Sequence, residues 1–296
     1  MKIVVAGASG LVGSALVPGL TTAGHEVVRL GRRAGPGVVV WDPAAGQLDA
    51  AAIEGATAVV NLAGAGIADG RWTSTRRAEI LDSRVQSTRL LVDTIAKTRE
   101  RPAVLVCASG AGYYGDCGDR EIDESGEAGD GFLARVCRHW EAEARCAEVL
   151  GVRVVALRLG MILAAGGGAL GKMLPVFRAG LGGPAGDGQQ WVSWIALDDA
   201  VAAIVHAISS VTVTGPVNTV APGAVRNVEF SRTLGHVLGR PAVVRAPAAA
   251  LRLMFGRMAN ETVLASARVV PARLRATGFS FRFGELEPAL RHVLAL

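Results

Sequence analysis

Aromatic side chains are scarce in this 296-residue chain: five Trp, seven Phe and only two Tyr. The 31 Lys plus Arg are scattered against 26 Asp plus Glu, and no long basic run appears. Nucleic-acid binding, which interleaves basic and stacking residues, is therefore not indicated. Arg77, Arg84 and Arg89 share one predicted helix, but a solvated helix face accounts for them. The four cysteines, Cys107, Cys117, Cys137 and Cys146, form no Cys-x-x-Cys pair, and the five histidines are dispersed. Neither a disulfide framework nor a metal site is indicated. Apolar runs are broken by Gly, Pro or charge well short of membrane-spanning length, and the chain opens into a strand pattern without a signal peptide. The expected location is the cytoplasm, with no membrane partner.

Glycine, by contrast, is abundant, and its most informative use is at the start, in MKIVVAGASGLVG. Ile3 to Gly7 reads as a buried parallel strand, and Leu11 to Leu20 takes up a helical pattern. Between them, Gly7, Gly10 and Gly13 can supply a tight turn, close approach of backbone to a diphosphate, and a helix-to-sheet contact. The helix N-terminus offers unpaired N–H groups to negative oxygens, so Gly7, Ala8, Ser9, Gly10, Leu11, Val12 and Gly13 form a predicted nucleotide cradle. The spacing is G-x-x-G-x-x-G rather than G-x-G-x-x-G, and a turn whose glycines serve only packing is the competing reading.

His25 to Leu30 reads as a second strand, followed by Gly31, Arg32 and Arg33 where a dinucleotide site selects its cofactor. A carboxylate there would take the 2′-hydroxyl of NAD, whereas a guanidinium suits the 2′-phosphate of NADP. Arg32 and Arg33 favour NADP over NAD; two surface loop arginines are the alternative.

Val38 to Trp41 and Ala58 to Leu62 are the next strands, the latter running into Asn61, Leu62, Ala63 and Gly64, small enough for backbone to pass close to the cofactor. Thr75 to Lys97 is a long helix, and Val104 to Cys107 a fifth strand. Ser109, Tyr113 and Tyr114 then cluster in SGAGYYG at the sheet edge where α/β enzymes place reacting groups. Ser109 can bond a substrate carbonyl or hydroxyl, and either tyrosine can move a proton; tyrosines that pack as a lid are the alternative. Phe132 to Leu150 reads as a helix, Arg153 to Leu159 as a sixth strand, and Val217 to Val220 as a return to the sheet. Asp198 and Asp199 suit a helix N-terminus better than catalysis, and Glu229 and Glu261 lie within reach of a pocket.

The alternation predicts an α/β fold, a Rossmann-type doubly wound parallel sheet with a smaller, mainly C-terminal substrate-facing lobe. Residues 1–160 would form the NADP-binding domain, with 190–222 returning to it; 161–189 and 223–296 would form the lobe.

The stretches GASGLVG, NLAGAGIADGRW, DSRVQSTRLL, ASGAGYYGD, FLARVCRHWEAEA, GGALGKMLPVFRAGLGGPAGDGQQWVSWI, VNTVAP and APAAALRLMFGRM, in this order, resemble the extended or atypical short-chain dehydrogenase/reductases, specifically an epimerase-like branch with a C-terminal domain of unknown function. Ordinary members carry a Tyr-x-x-x-Lys pair on the helix after the serine strand. With Glu141 laid on that helix, the pair falls at Leu133 and Cys137, neither able to do acid–base work. Arg84 stands where the resemblance places a structural asparagine and is grouped with the cofactor-binding residues.

The resemblance implies an NADP-binding oxidoreductase-like or epimerase-like protein that transfers hydride on a small substrate, with Ser109 and Tyr113 or Tyr114 as the tentative catalytic set. A non-catalytic NADP-binding sensor and a nucleotide-sugar epimerase are the alternatives. It also implies a possible homodimer through the helices Thr75 to Lys97 and Phe132 to Leu150.

Overall fold

The computed structural model describes residues 1–296. Seven parallel strands make the central sheet: β1 (Lys2–Ala6), β2 (Glu26–Gly31), β3 (Val38–Val40), β4 (Ala58–Asn61), β5 (Val104–Gly110), β6 (Arg153–Leu159) and β7 (Gly215–Thr219). They lie in the order β7-β6-β5-β4-β1-β2-β3, the doubly wound arrangement expected. The chain builds outward from β1 through β2 and β3, then restarts on its other side with β4. Such a reversal leaves a crevice beyond the carboxyl ends of β1 and β4.

The inner strands β1, β4 and β5 are buried almost throughout because both faces of the sheet are covered. The helices are α1 (Leu11–Thr22), α2 (Ser74–Lys97), α3 (Phe132–Arg145), α4 (Gly168–Arg178), α5 (Leu197–Ser209) and α6 (Asn227–Leu238). Ile3 and Val5 pack with Leu16 and Leu20 of α1 and Ile204 of α5, while Val4 packs on the other face with Leu91 and Ile95 of α2 and Trp140 of α3. Leu91 and Ile95 of α2 and Trp140 of α3 are thus turned to the sheet, while Ile80 of α2 packs with Phe132 and Val136 of α3. What these helices expose is polar: Glu79, Asp82, Gln86 and Arg89 on one, Arg135, Arg138 and His139 on the other.

A third core joins Leu170, Leu174 and Phe177 of α4 with Phe230 and Leu234 of α6 and with Trp194, Phe283 and Leu290, forming the lobe beside the sheet. Two short strands follow one another before α5: Trp191–Val192 pairs with Val225–Arg226, and Trp194–Ala196 with Met161–Leu163. Strand β5 runs past Cys107 because β6 continues to pair with it, bringing Ser109 opposite Arg158 and Gly110 opposite Leu159. No helix is long and apolar enough to cross a membrane.

Candidate functional site

The glycine turn sits at the crevice. Gly7 has φ +78°, and a side-chain carbon there would lie 2.6 Å from the Leu62 carbonyl carbon; at Gly13 it would lie 2.2 Å from the Gly7 oxygen. These two glycines are therefore required by packing between β1, β4 and α1. Gly10 caps α1 in extended conformation, its N–H donating to the Gly7 carbonyl at 3.0 Å, and Ser9 and Gly10 are exposed. The first backbone bond of the helix comes from Ser14 to Gly10, no side chain caps the end, and its first turn holds no acid. The N–H groups of Leu11, Val12 and Gly13 are left for a ligand, which is the donor set a diphosphate needs.

Arg32 and Arg33 follow β2 directly, both exposed and neither paired with a carboxylate. A side chain at Gly31, the last residue of β2, would meet Val38 Cγ1 at 2.8 Å, so that position cannot carry the carboxylate of an NAD site without a shift of Val38.

At the end of β4 the expectation for Asn61 needs correcting. Its side chain is fully buried: Nδ2 donates to Thr88 Oγ1 at 2.9 Å, and Oδ1 accepts from the Ala63 N–H at 3.1 Å. Asn61 shapes the turn from within, leaving the backbone of Leu62, Ala63 and Gly64 to border the crevice. Arg84, from α2, closes the turn from outside. Its Nη1 donates to the carbonyls of Ala65 at 2.9 Å and Ile80 at 3.0 Å, and its guanidinium lies over Trp140, 4.9 Å from the ring centroid.

Beyond β5 the structure assembles a buried polar row. Ser109, Arg158 and Asn218 lie at one level across β5, β6 and β7. Glu141 of α3 accepts from Ser109 Oγ at 2.7 Å and from Arg158 Nε and Nη2 at 2.9 Å each. Arg158 Nη1 donates to the Tyr114 hydroxyl at 2.9 Å, which donates to Asn218 Oδ1 at 2.6 Å. Tyr114 is 2% exposed, and burial pushes its phenol up to about 12 despite the neighbouring Arg158. Tyr114 is thus removed from the candidate proton donors: its hydroxyl is spent inside the fold.

Tyr113 differs. It is half-buried, with its ring 3.4 Å from the Arg158 guanidinium carbon and edge-on to Tyr114, and its hydroxyl bonds to no protein group. Ser109, 5% exposed, donates its hydroxyl hydrogen bond to Glu141, so toward a ligand its oxygen acts as an acceptor. Leu133 and Cys137 do abut this strand end. Leu133 lies against Gly112, and the Cys137 thiol donates to the Gly110 carbonyl at 3.6 Å.

The sequence reading used Glu141 only as a landmark and passed over Arg158 and Asn218. A signal existed: Arg158 is a charge set between apolar residues near the end of the strand RVVALRL, and a buried charge there demands a partner. Of the carboxylates singled out, Asp199 binds the N–H groups of Arg282 and Phe283, both at 2.9 Å, and Asp198 binds His292, so both pin the C-terminal segment. Glu229 is exposed on α6. Glu261 accepts from the Leu133 N–H at 2.8 Å, capping α3, and borders a cleft of about 470 Å³ with Gly112, Gly131 and Leu133.

Residues 3–220, which contain the glycine turn, Arg32, Arg33, Arg84 and the buried polar row, match the NAD dependent epimerase/dehydratase family. The chain belongs to that family. Residues 246–293 match a domain of unknown function, DUF1731, covering most of the C-terminal segment of this epimerase/dehydratase-family member. A relative from Mycobacterium bovis, epimerase family protein Mb2239, is 40% identical over 290 residues, covering 97% of this chain and 96% of its own length. The crystal structure of human epimerase family protein SDR39U1 (isoform 2) with NADPH is 38% identical, covers 100% of this chain and 99% of its own, and superposes with a TM-score of 0.91. A nucleoside-diphosphate sugar epimerase from Corynebacterium glutamicum is 34% identical, with a TM-score of 0.81, covering 99% of this chain and 58% of its own.

Proposed function

We propose that this epimerase-family protein binds NADP(H) across the crevice and catalyses hydride transfer on a small hydroxyl- or carbonyl-bearing substrate. The observation that carries the reading is the bare N-terminus of α1 behind Gly7 and Gly13, together with two unpaired arginines after β2 and a Gly31 where a side chain would press on Val38. The NADPH in the human SDR39U1 structure supports it. When bound, the cofactor supplies or takes up the hydride.

The protein does the rest. The α1 N–H groups take the diphosphate, and Arg32 or Arg33 takes the 2′-phosphate. Ser109, its proton committed to Glu141, accepts from the substrate hydroxyl and so orients it. Tyr113, with an unbonded hydroxyl beside the Arg158 cation, exchanges the proton with the substrate oxygen. A cytoplasmic location is part of the same reading, supported by four unpaired cysteines.

A second reading, a non-catalytic NADP-binding sensor, is favoured by the apolar Leu133 and the buried thiol of Cys137 beside Ser109. Titration of the purified protein with NADPH, NADP and NADH, followed by a screen of carbonyl compounds, alcohols and nucleoside-diphosphate sugars, separates the readings. NADPH binding with turnover that Tyr113→Phe abolishes supports the enzyme; binding without turnover on any of them supports the sensor. Failure to bind either reduced cofactor overturns both.

A further inference from the structure

Helix α7 (Ala248–Phe255) carries apolar residues on its outer side. Ala248, Leu251 and Phe255 form a half-buried inner face, and no residue of the helix is fully buried. Ala249, Ala250, Leu253 and Met254 face solvent, Leu253 at 79% exposed and Met254 at 63%. A surface helix ordinarily places polar residues there. The helix is tied down in this orientation, since Arg71 Nη2 donates to the Leu253 carbonyl at 2.8 Å and Arg252 Nε to Asn260 Oδ1 at 2.9 Å. Apolar exposure continues in the segment that leads into it. That segment runs alongside residues 182–185, the Val244 N–H donating to the Gly182 carbonyl at 3.1 Å and the Ala246 N–H to the Pro184 carbonyl at 2.9 Å. It leaves Val243 79% exposed, and Leu181, just before Gly182, 61% exposed.

The charge along this stretch has one sign. Between Phe230 and Asn260 the chain holds no Asp or Glu, while Arg232, Arg240, Arg245, Arg252 and Arg257 are all exposed and none is paired with a carboxylate. Exposed apolar side chains among unpaired guanidiniums call for two things at once, cover from water and anionic oxygens. A second copy supplies only the first, because a two-fold contact through this face sets like charges against each other. The surface of an anionic bilayer supplies both. We infer that α7 and the segment leading into it dock this protein on an anionic membrane surface, with Leu253, Met254 and Val243 entering the headgroup boundary and the arginines meeting lipid phosphates. The contact is peripheral, since no helix is long and apolar enough to cross a membrane. The sequence expectation of no membrane partner rested on spanning length, which a docked face does not need.

The test is flotation of the full chain with two kinds of vesicle, phosphatidylcholine alone and phosphatidylcholine mixed with phosphatidylglycerol. The mixed vesicles should bind the protein at least about tenfold more tightly, and added salt should weaken that binding. Leu253→Ser combined with Met254→Ser should weaken it by about tenfold or more, through the apolar burial the two side chains no longer provide. Arg245→Ser combined with Arg257→Ser should bring binding to the mixed vesicles down toward that to phosphatidylcholine. All four side chains are exposed, so thermal melts should match the wild type. If the pair at 253 and 254 lowers the melting temperature, the arginine pair decides alone. Equal binding to both vesicles, or variants that float as the wild type does, overturns the proposal. Flotation with neither vesicle overturns it as well, and a dimer in analytical ultracentrifugation that the 253 and 254 replacements split would then assign the face to a second copy.

Discussion

Ser109 and Arg158 stand side by side on β5 and β6, and one carboxylate, that of Glu141, accepts hydrogen bonds from both. The contact orients the serine hydroxyl and neutralises a guanidinium that is 3% exposed. Because the pair is buried, its value lies in completeness: each ion is costly alone.

Removing one member should therefore be severe. Glu141→Ala is expected to destabilise the fold by about 3–5 kcal/mol, as the loss of one partner in a buried pair generally does. The double replacement Glu141→Met with Arg158→Met should cost less than the single one, since no charge is stranded. Urea unfolding monitored by circular dichroism measures both. A single replacement costing no more than a surface change, about 0.5 kcal/mol, would show that the row does not hold this end of the sheet together.

Tyr114 gives the row an alkaline signature. Its folded phenol titrates at about 12, raised chiefly by burial, while an unfolded chain ionises tyrosine near about 10. Between those values the unfolded state has released a proton that the folded state keeps, so stability falls as pH rises through that window. Tyr114→Phe should remove this contribution to the slope while lowering stability at neutral pH by about 1–3 kcal/mol, through the acceptor of Asn218 and the donor of Arg158 left unpaired. Parallel alkaline limbs for the two proteins in urea midpoints would contradict the assignment.

The glycines of the turn make a sharp contrast with one farther along the same helix. Gly7→Ala places a side chain at φ +78° and 2.6 Å from backbone, and Gly13→Ala places one 2.2 Å from a carbonyl oxygen. Each should lower stability by at least about 1–3 kcal/mol and abolish NADPH binding. Gly19, inside α1, has nothing within 4 Å of a side-chain carbon, so Gly19→Ala should leave binding intact and stabilise the fold by about 0.5–1 kcal/mol. Thermal melts with and without NADPH read all three.

Cofactor choice should follow Arg32 and Arg33. Replacing both with Ser is expected to weaken NADPH by about tenfold to a hundredfold, the worth of one charge-assisted phosphate contact, and to leave NADH unchanged. The measurement is the ratio of the two affinities in one buffer, because salt screens exposed charges. Equal loss for both cofactors would refute a 2′-phosphate contact.

Much of this protein is written in local patterns. The turn between β1 and α1, the parallel strands and the lack of a carboxylate after β2 all depend on residues within a few positions of one another, and glycine spacing and apolar periodicity report them directly. That is why GASGLVG located the crevice and why the doubly wound sheet was foreseeable.

The reacting end could not be read that way. Tyr113 and Tyr114 are adjacent and chemically alike, yet the backbone after Gly110 turns one ring onto the Arg158 face and drives the other hydroxyl between Arg158 and Asn218. Glu141 and Asn218 come from an intervening helix and an edge strand, and only strand register brings them to one level. Asn61 points inward for the same reason, meeting Thr88 from another element. Sequence alone determined that a glycine turn with a bare helix N-terminus follows the first strand, because that turn is a local backbone shape. Which hydroxyls and charges remain available to a ligand was decided by the tertiary structure, because availability is what is left after distant groups have bonded to one another.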